Sequence, residues 1–142
     1  MKRLLSGRAL VPGDAEGPAL VLDGPLSMWG GLDPESGEII DRRHPQSGDQ
    51  VTGRIVVLPF GRGSSSSSAV LLEAVRLGTA PAALITLEVD GILVLGATVA
   101  RELYQKGPPI VLLGEEDYCL LTTGMRLRID GAGGIRILAS DQ

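Results

Sequence analysis

Five consecutive serines, Ser64–Ser68, follow Gly61-Arg62-Gly63, and this run is where residue types and spacing could do chemistry. The serines supply hydroxyls, and Arg62 supplies a fixed positive charge. Upstream, Ile55–Leu58 is an apolar, β-branched-rich run typical of a buried strand, closed by Pro59 and Gly61. Downstream, Val70, Leu71, Ala74, Val75 and Leu77 fall largely on one helical face, with Glu73 and Arg76 on the other. Gly78 stands where a helix C-terminal glycine belongs. Arg54–Gly78 therefore reads as strand, tight glycine turn, helix. Such a turn aims free backbone N–H groups and the positive end of a helix dipole at one point, which suits an anion. A plainer reading is a serine-capped helix on an ordinary β–α turn, since serine is a favoured N-cap.

Three phosphate- or acyl-handling motifs are excluded. A P-loop needs a lysine after its second glycine, and none lies between Lys2 and Lys106. A nucleophile elbow needs a glycine two residues beyond its serine, which this run lacks. The dinucleotide fingerprint fails because Ser66 stands where the third glycine should be.

The elements that must position this loop follow from composition and pattern. A chain of 142 residues is most simply one domain, able to bury about two thirds of its unfolded surface. Residues are 44% hydrophobic but only 3% aromatic, so the core must be built from Val, Ile, Leu and Ala, as parallel sheets with covering helices are. A net charge of −4 offers no general attraction to nucleic acid or to an anionic membrane. One cysteine, Cys119, rules out an internal disulfide and fits a reducing cytoplasm. It is expected to be a buried structural thiol. No apolar run is long enough for a signal peptide or a membrane span. The expectation is a soluble cytoplasmic domain.

Along the chain, Ala9–Val11 and Ala19–Leu22 read as short strands joined by a turn-rich loop. Gly24–Gly48 is dense in turn residues and nearly free of periodicity, and a loop of this length is usually functional or mobile. It holds the single Trp29, which reads more readily as a plug for one end of the core than as a surface ring. It also holds Arg42, Arg43 and the single His44, held extended before Pro45 and without Cys or His neighbours at metal-binding spacing. A lone histidine is more often structural than catalytic. Ala82–Leu87 and Ile92–Leu95 are further apolar runs, residues 97–106 can form a short helix, and Ile110–Leu113 reads as a strand. Glu115–Asp117 is an acidic turn that could begin a helix over Tyr118–Leu121. Met125–Ile129 and Ile135–Leu138 alternate with Arg126, Arg128 and Arg136 around GAGG, a hairpin with arginines facing solvent. The order predicts a mixed α/β domain with a parallel centre and antiparallel additions. No metal site is expected in this chain, because Glu88, Asp90 and the 115–117 run read as solvated loop acids.

Three runs, GPLSMWGGLDPESGEIIDRRHPQSG at 24–48, GRGSSSSS at 61–68 and LLEAVRLGTAPAALI at 71–85, closely resemble the swivel domain of the aconitase X family. The resemblance extends over roughly residues 7–113, with its elements in the expected order. It implies an α/β fold of the swivelling β/β/α type with a mixed, partly parallel sheet. It further implies that residues 1–142 are a single swivel domain made as a separate small subunit of a hydro-lyase (dehydratase). Such a subunit is active only with a large catalytic subunit, whose cysteines hold an iron–sulfur cluster or iron as Lewis acid. Known members dehydrate cis-3-hydroxy-L-proline or mevalonate 5-phosphate. The family's serine base matches Ser64, with Ser65 as nearest competitor, while Ser67 and Ser68, a turn further on, are expected to matter little. Arg62, Gly63, Gly61 and His44 are the expected substrate-binding residues. The lack of a basic cluster near the loop, beyond Arg62 and Arg42–Arg43, favours hydroxyproline as the small hydroxy-acid substrate. A non-catalytic anion-binding regulatory module is the alternative of another class.

Overall fold

Strand β6 (Ile55–Leu58) is buried along its whole length and divides its side chains between two cores. Ile55 and Val57 enter one, Val56 and Leu58 the other. This division organises the computed structural model, which describes residues 3–61 and 66–140. On one side β6 pairs in parallel with β3 (Ala15–Val21), and on the other with β7 (Ala83–Thr86), itself parallel to β8 (Ile110–Leu112). The short antiparallel β2 (Arg8–Val11) closes that edge.

Strand β3 serves two halves of the sheet. Its Ala19–Val21 lie along β6, while Ala15–Pro18 run antiparallel to β9 (Met125–Ile129). Beyond β9 come β10 (Gly134–Ser140) and β1 (Arg3–Ser6), giving the order β1-β10-β9-β3-β6-β7-β8-β2. The β1/β10/β9 end carries Leu5, Leu127, Ile129 and Ile135 into one core with Ile55, Val57, Ala83 and Ile85. Helices α2 (Ser66–Leu77) and α3 (Gly91–Tyr104) carry Leu71, Ala74, Leu93 and Ala97 into the other, against Val56, Leu58 and Leu84. The layers are therefore sheet, sheet and helix, the β/β/α arrangement expected from the resemblance. The 125–140 hairpin also forms as expected, with Arg126 3.1 Å from Glu16 across the β3–β9 pair on the wet face.

Four expectations need correcting. Ile92–Leu95 is not separate from the helix predicted after it: α3 is continuous from Gly91 and ends at Tyr104, because Leu93, Gly96, Ala97 and Ala100 make one buried helical stripe. A run of four apolar residues cannot by itself distinguish helix from strand. Gly24–Gly48 is not an open loop. It contains α1 (Met28–Gly31), a single turn, and the two-stranded β4 (Leu32–Asp33) and β5 (Glu38–Ile39), and it buries Leu26, Met28, Leu32 and Ile39 in the helix-side core. Trp29 does not plug that core: it is 62% exposed and Met28 is the buried neighbour. Cys119 is exposed, because in α4 (Glu115–Tyr118) and the residues after it Tyr118 and Leu121 take the inward positions.

Because β7 lies at the middle of the parallel segment, truncating it tests the layering. Leu84→Ala, at a fully buried position facing the helices, is expected to cost about 2–5 kcal/mol. Urea denaturation should read this as a lowered midpoint, and a loss below about 1 kcal/mol would contradict tight packing between sheet and helices.

Candidate functional site

The site is built where β6 and β7 end. Parallel strands buried on both faces leave only their ends free, and a crevice beyond their C-terminal ends is where α/β sheets bind ligands. Past Leu58, Pro59 accepts hydrogen bonds on its carbonyl from the N–H groups of Leu87 and Glu88, tying the exits of β6 and β7 together. Gly61 then forms a parallel bridge with Leu26. Residues 62–65 connect Gly61 to the start of α2. The expected base and its neighbours, Ser64, Ser65, Arg62 and Gly63, lie outside the described residues.

Two helix N-termini meet here and are treated differently. Asp90 caps α3: its Oδ1 accepts from the N–H groups of Ile92 at 3.0 Å and Leu93 at 3.1 Å. The positive end of α3 is thus met within the chain. Helix α2 has no acidic residue in its first turn. Between them, Leu26, Met28, Gly61, Ser67, Asp90, Ile92 and Leu93 line a cavity of about 80 Å³. Ligand pockets run to about 300–1,000 Å³, so this cavity is too small to enclose a substrate. Gly61 is closely packed: a Cβ there would stand 2.5 Å from Asp90 Oδ2 and 3.2 Å from Leu93 Cδ1, so the Asp90 carboxylate would have to shift.

The Leu26–Gly31 segment forms a second wall. Trp29 (φ −72°, ψ 120°) and Gly30 (φ 78°, ψ −12°) have the angles of the two central residues of a type II turn, for which Gly30 supplies the positive φ. Ser27 Oγ donates to the Trp29 carbonyl at 2.9 Å, and the Trp29 N–H donates to Ser67 Oγ at 3.2 Å. On the other side of this segment is an open cleft of about 590 Å³, lined among others by Asp23, Ser27, Trp29, Asp41, Arg43 and His44. His44 is buried, its Nδ1 accepting from the Gln46 N–H at 3.0 Å. That bond places the neutral ring's proton on Nε2, which has no partner among the described residues. The structure therefore puts His44 in the second cleft and Gly61 in the first cavity, with the 26–31 segment between them.

Among the described residues no group of three or more His, Cys, Asp or Glu could hold a metal ion. An iron–sulfur cluster needs several thiolates, and the single exposed Cys119 does not fit one. No helix among the described residues is long and apolar enough to cross a membrane.

A family model described as "Aconitase X swivel domain" matches residues 4–137. The chain belongs to the aconitase X swivel family. Its fold superposes on the crystal structure of Thermococcus kodakaraensis aconitase X in the holo-form with a TM-score of 0.85 and 36% identity, covering 96% of this chain and 98% of that one. It is 51% identical over 112 residues to a cis-3-hydroxy-L-proline dehydratase of Pseudomonas aeruginosa, covering 79% of this chain but 19% of that protein. It is 38% identical over 136 residues to the phosphomevalonate dehydratase small subunit of Pyrococcus furiosus, covering 95% of this chain and 96% of that one. The chain thus spans about a fifth of the length of the hydroxyproline dehydratases it matches.

Within this swivel domain, sequence reasoning missed Ser27, Ser67 and Asp90. The signal for Ser67 is its spacing with Leu71, Ala74 and Val75, which makes it the serine on the buried face of α2. The signal for Asp90 is its place just before an apolar run that proves helical.

Gly61 and Asp90 generate a joint prediction. In Gly61→Ala the new Cβ forces the carboxylate off its cap, at a cost of about 1–2 kcal/mol. Asp90→Ala should cost a similar amount, and the double variant little more than either, because both remove one interaction. Chemical denaturation of the three variants checks this, and fully additive losses would show that Gly61 does not act through Asp90.

Proposed function

We propose that this chain is the small subunit of an aconitase X-type dehydratase, active only with a large catalytic subunit, and that it supplies the serine base for dehydrating a hydroxy acid. The observation that carries the reading is a half-built site. In a chain of this family, strand ends and an α2 N-terminus free of acidic residues converge beside a cavity too small to enclose a substrate. The rest of such a site must come from elsewhere. The end-to-end match with a protein named a small subunit supports this division. The iron or iron–sulfur centre implied by the family is assigned to the large subunit.

In this reading Ser64 removes a proton beside the substrate carboxylate, with Ser65 as its nearest rival. The proton passes to the serine oxygen, and the C–H electron pair becomes the new double bond. Hydroxide leaves the neighbouring carbon, and the elements of water are lost. A serine hydroxyl is a very weak acid, and a helix N-terminus contributes up to about 2 kcal/mol, or about 1.5 pK units. That alone does not ionise it. Arg62, the N–H groups about Gly61 and Gly63, and exclusion of water by the partner supply the remainder. Arg62 anchors the carboxylate, and His44 contributes its Nε2–H from the second cleft.

The substrate is assigned as cis-3-hydroxy-L-proline. The 51% identity to a dehydratase of that name supports it. So does the charge of the second cleft, where Asp23 and Asp41 outnumber Arg43 and favour an ammonium over a phosphate. A second reading has its own observation. The matches covering nine tenths or more of both this chain and its relative include phosphomevalonate dehydratase small subunits, which favours mevalonate 5-phosphate.

The test is steady-state kinetics on the chain co-expressed with its large partner, with both substrates offered. Ser64→Ala should lower kcat at least ~100-fold, as loss of a general base does, with KM nearly unchanged. Arg62→Ala should raise KM as well as lower kcat, because it removes a charged hydrogen bond to the carboxylate. Loss of activity in Ser65→Ala alone would shift the base by one residue. Near-normal turnover in both serine variants would leave an anion-binding regulatory module.

A further inference from the structure

The serine run contains a residue whose surroundings set it apart from the proposed base. Ser67 lies in the first turn of α2, two residues after the 62–65 connection, and is only 4% exposed. Its Oγ accepts from the Trp29 N–H at 3.2 Å and lies 3.5 Å from Ser27 Oγ, which itself donates to the Trp29 carbonyl. Both backbone polar groups of residue 29 are thereby held by serine hydroxyls, one on each wall of the site. The ring of Trp29 gains nothing from this by burial, since it stands 62% exposed beside the second cleft. Core packing of Leu26 and Met28 accounts for the path of the turn, and the bond from Trp29 to Ser67 adds a polar tie between that turn and α2.

We propose that Ser67 is a positioning residue: through the Trp29 peptide it locks the 26–31 turn to the start of α2, and so fixes the two described walls of the site relative to one another. This rests on the proposed dehydratase reading for its effect on turnover, but not for its effect on the turn. The hydroxyl is the working part, and the methyl of a threonine has room in the cavity of about 80 Å³ that Ser67 lines.

Two measurements test it. In the chain itself, amide hydrogen exchange followed by NMR should show Trp29 exchanging at least ~10-fold faster in Ser67→Ala, with the β6 amides unchanged, because a local opening and not global stability is altered. Ser67→Thr should restore the slow rate. In the assembled enzyme, Ser67→Ala should lower kcat ~10-fold, the scale of a modest misplacement of a catalytic group, with KM within about twofold, and Ser67→Thr should recover it. Ser27→Ala, outside the helix, should speed Trp29 exchange in the same direction and reads the network even if Ser67→Ala folds poorly. An unchanged Trp29 rate in Ser67→Ala and in Ser27→Ala, or equal damage from Ser67→Thr and Ser67→Ala, overturns the proposal. If instead Ser64→Ala keeps normal turnover while Trp29 exchange responds as stated, the catalytic reading falls and the lock between the two walls stands.

Discussion

A strand whose two faces are both committed to hydrophobic layers has no flank on which to display a reacting group, and β6 is such a strand. Ile55 and Val57 are taken by the sheet-side core, Val56 and Leu58 by the helix-side core. Full burial of each such side chain contributes about 1.5–3 kcal/mol, so none of the four can be exchanged for a polar group at small cost. Chemistry is thereby pushed to the strand's exit. That exit is held by the Pro59 carbonyl, which joins it to the end of β7, and by the bridge from Gly61 to Leu26.

The electrostatics at that exit follow from an asymmetry between two helices. Both α2 and α3 begin there, and each would otherwise offer unpaired N–H groups and a partial positive charge. Asp90 satisfies those of α3 at once, through two bonds to one carboxylate oxygen. Gly61 is the residue that makes room for it. Neither helix has an acidic residue in its first turn, but α3 has the Asp90 carboxylate at its N-cap. Within the described residues the two helix starts therefore differ by one carboxylate. This is a structural use of Asp90 quite unlike a cation ligand, since both of its bonds are spent within α3.

Much of this was legible in the chain, and the failures share a cause. Strand β6, helix α2 with its C-terminal Gly78, and the 125–140 hairpin could be read because each has a pattern complete within itself. The aconitase X swivel fold could be read because its motifs occur in order. Strand β1 could not: Arg3–Ser6 has no pattern of its own and is a strand because β10 lies beside it. The join of Ile92–Leu95 to the rest of α3 depends on which residues the sheet covers. Cys119 was expected inside on the general preference of cysteine for burial, yet the one-turn α4 gives the inward positions to Tyr118 and Leu121. The burial of Ser67, by contrast, follows from its spacing with Leu71, Ala74 and Val75 on one face of α2.

The Gly24–Gly48 segment shows how a local backbone constraint can reverse an expectation drawn from composition. A tryptophan among glycines has the largest apolar surface available, and burying it looks favourable by area alone. The turn at Trp29 and Gly30 decides otherwise. With Gly30 at φ 78° the chain reverses immediately after residue 29, so that Met28 faces the core and Trp29 faces out. Leu26, Met28, Leu32 and Ile39 then cover the helix-side core, and a stretch that reads as a loop becomes a wall. The exposure of Trp29 is a consequence of this geometry and is maintained by Ser27 and Ser67. The two hydroxyls hold the backbone of residue 29, and the glycine that turns the ring outward is the same one that lets the wall close.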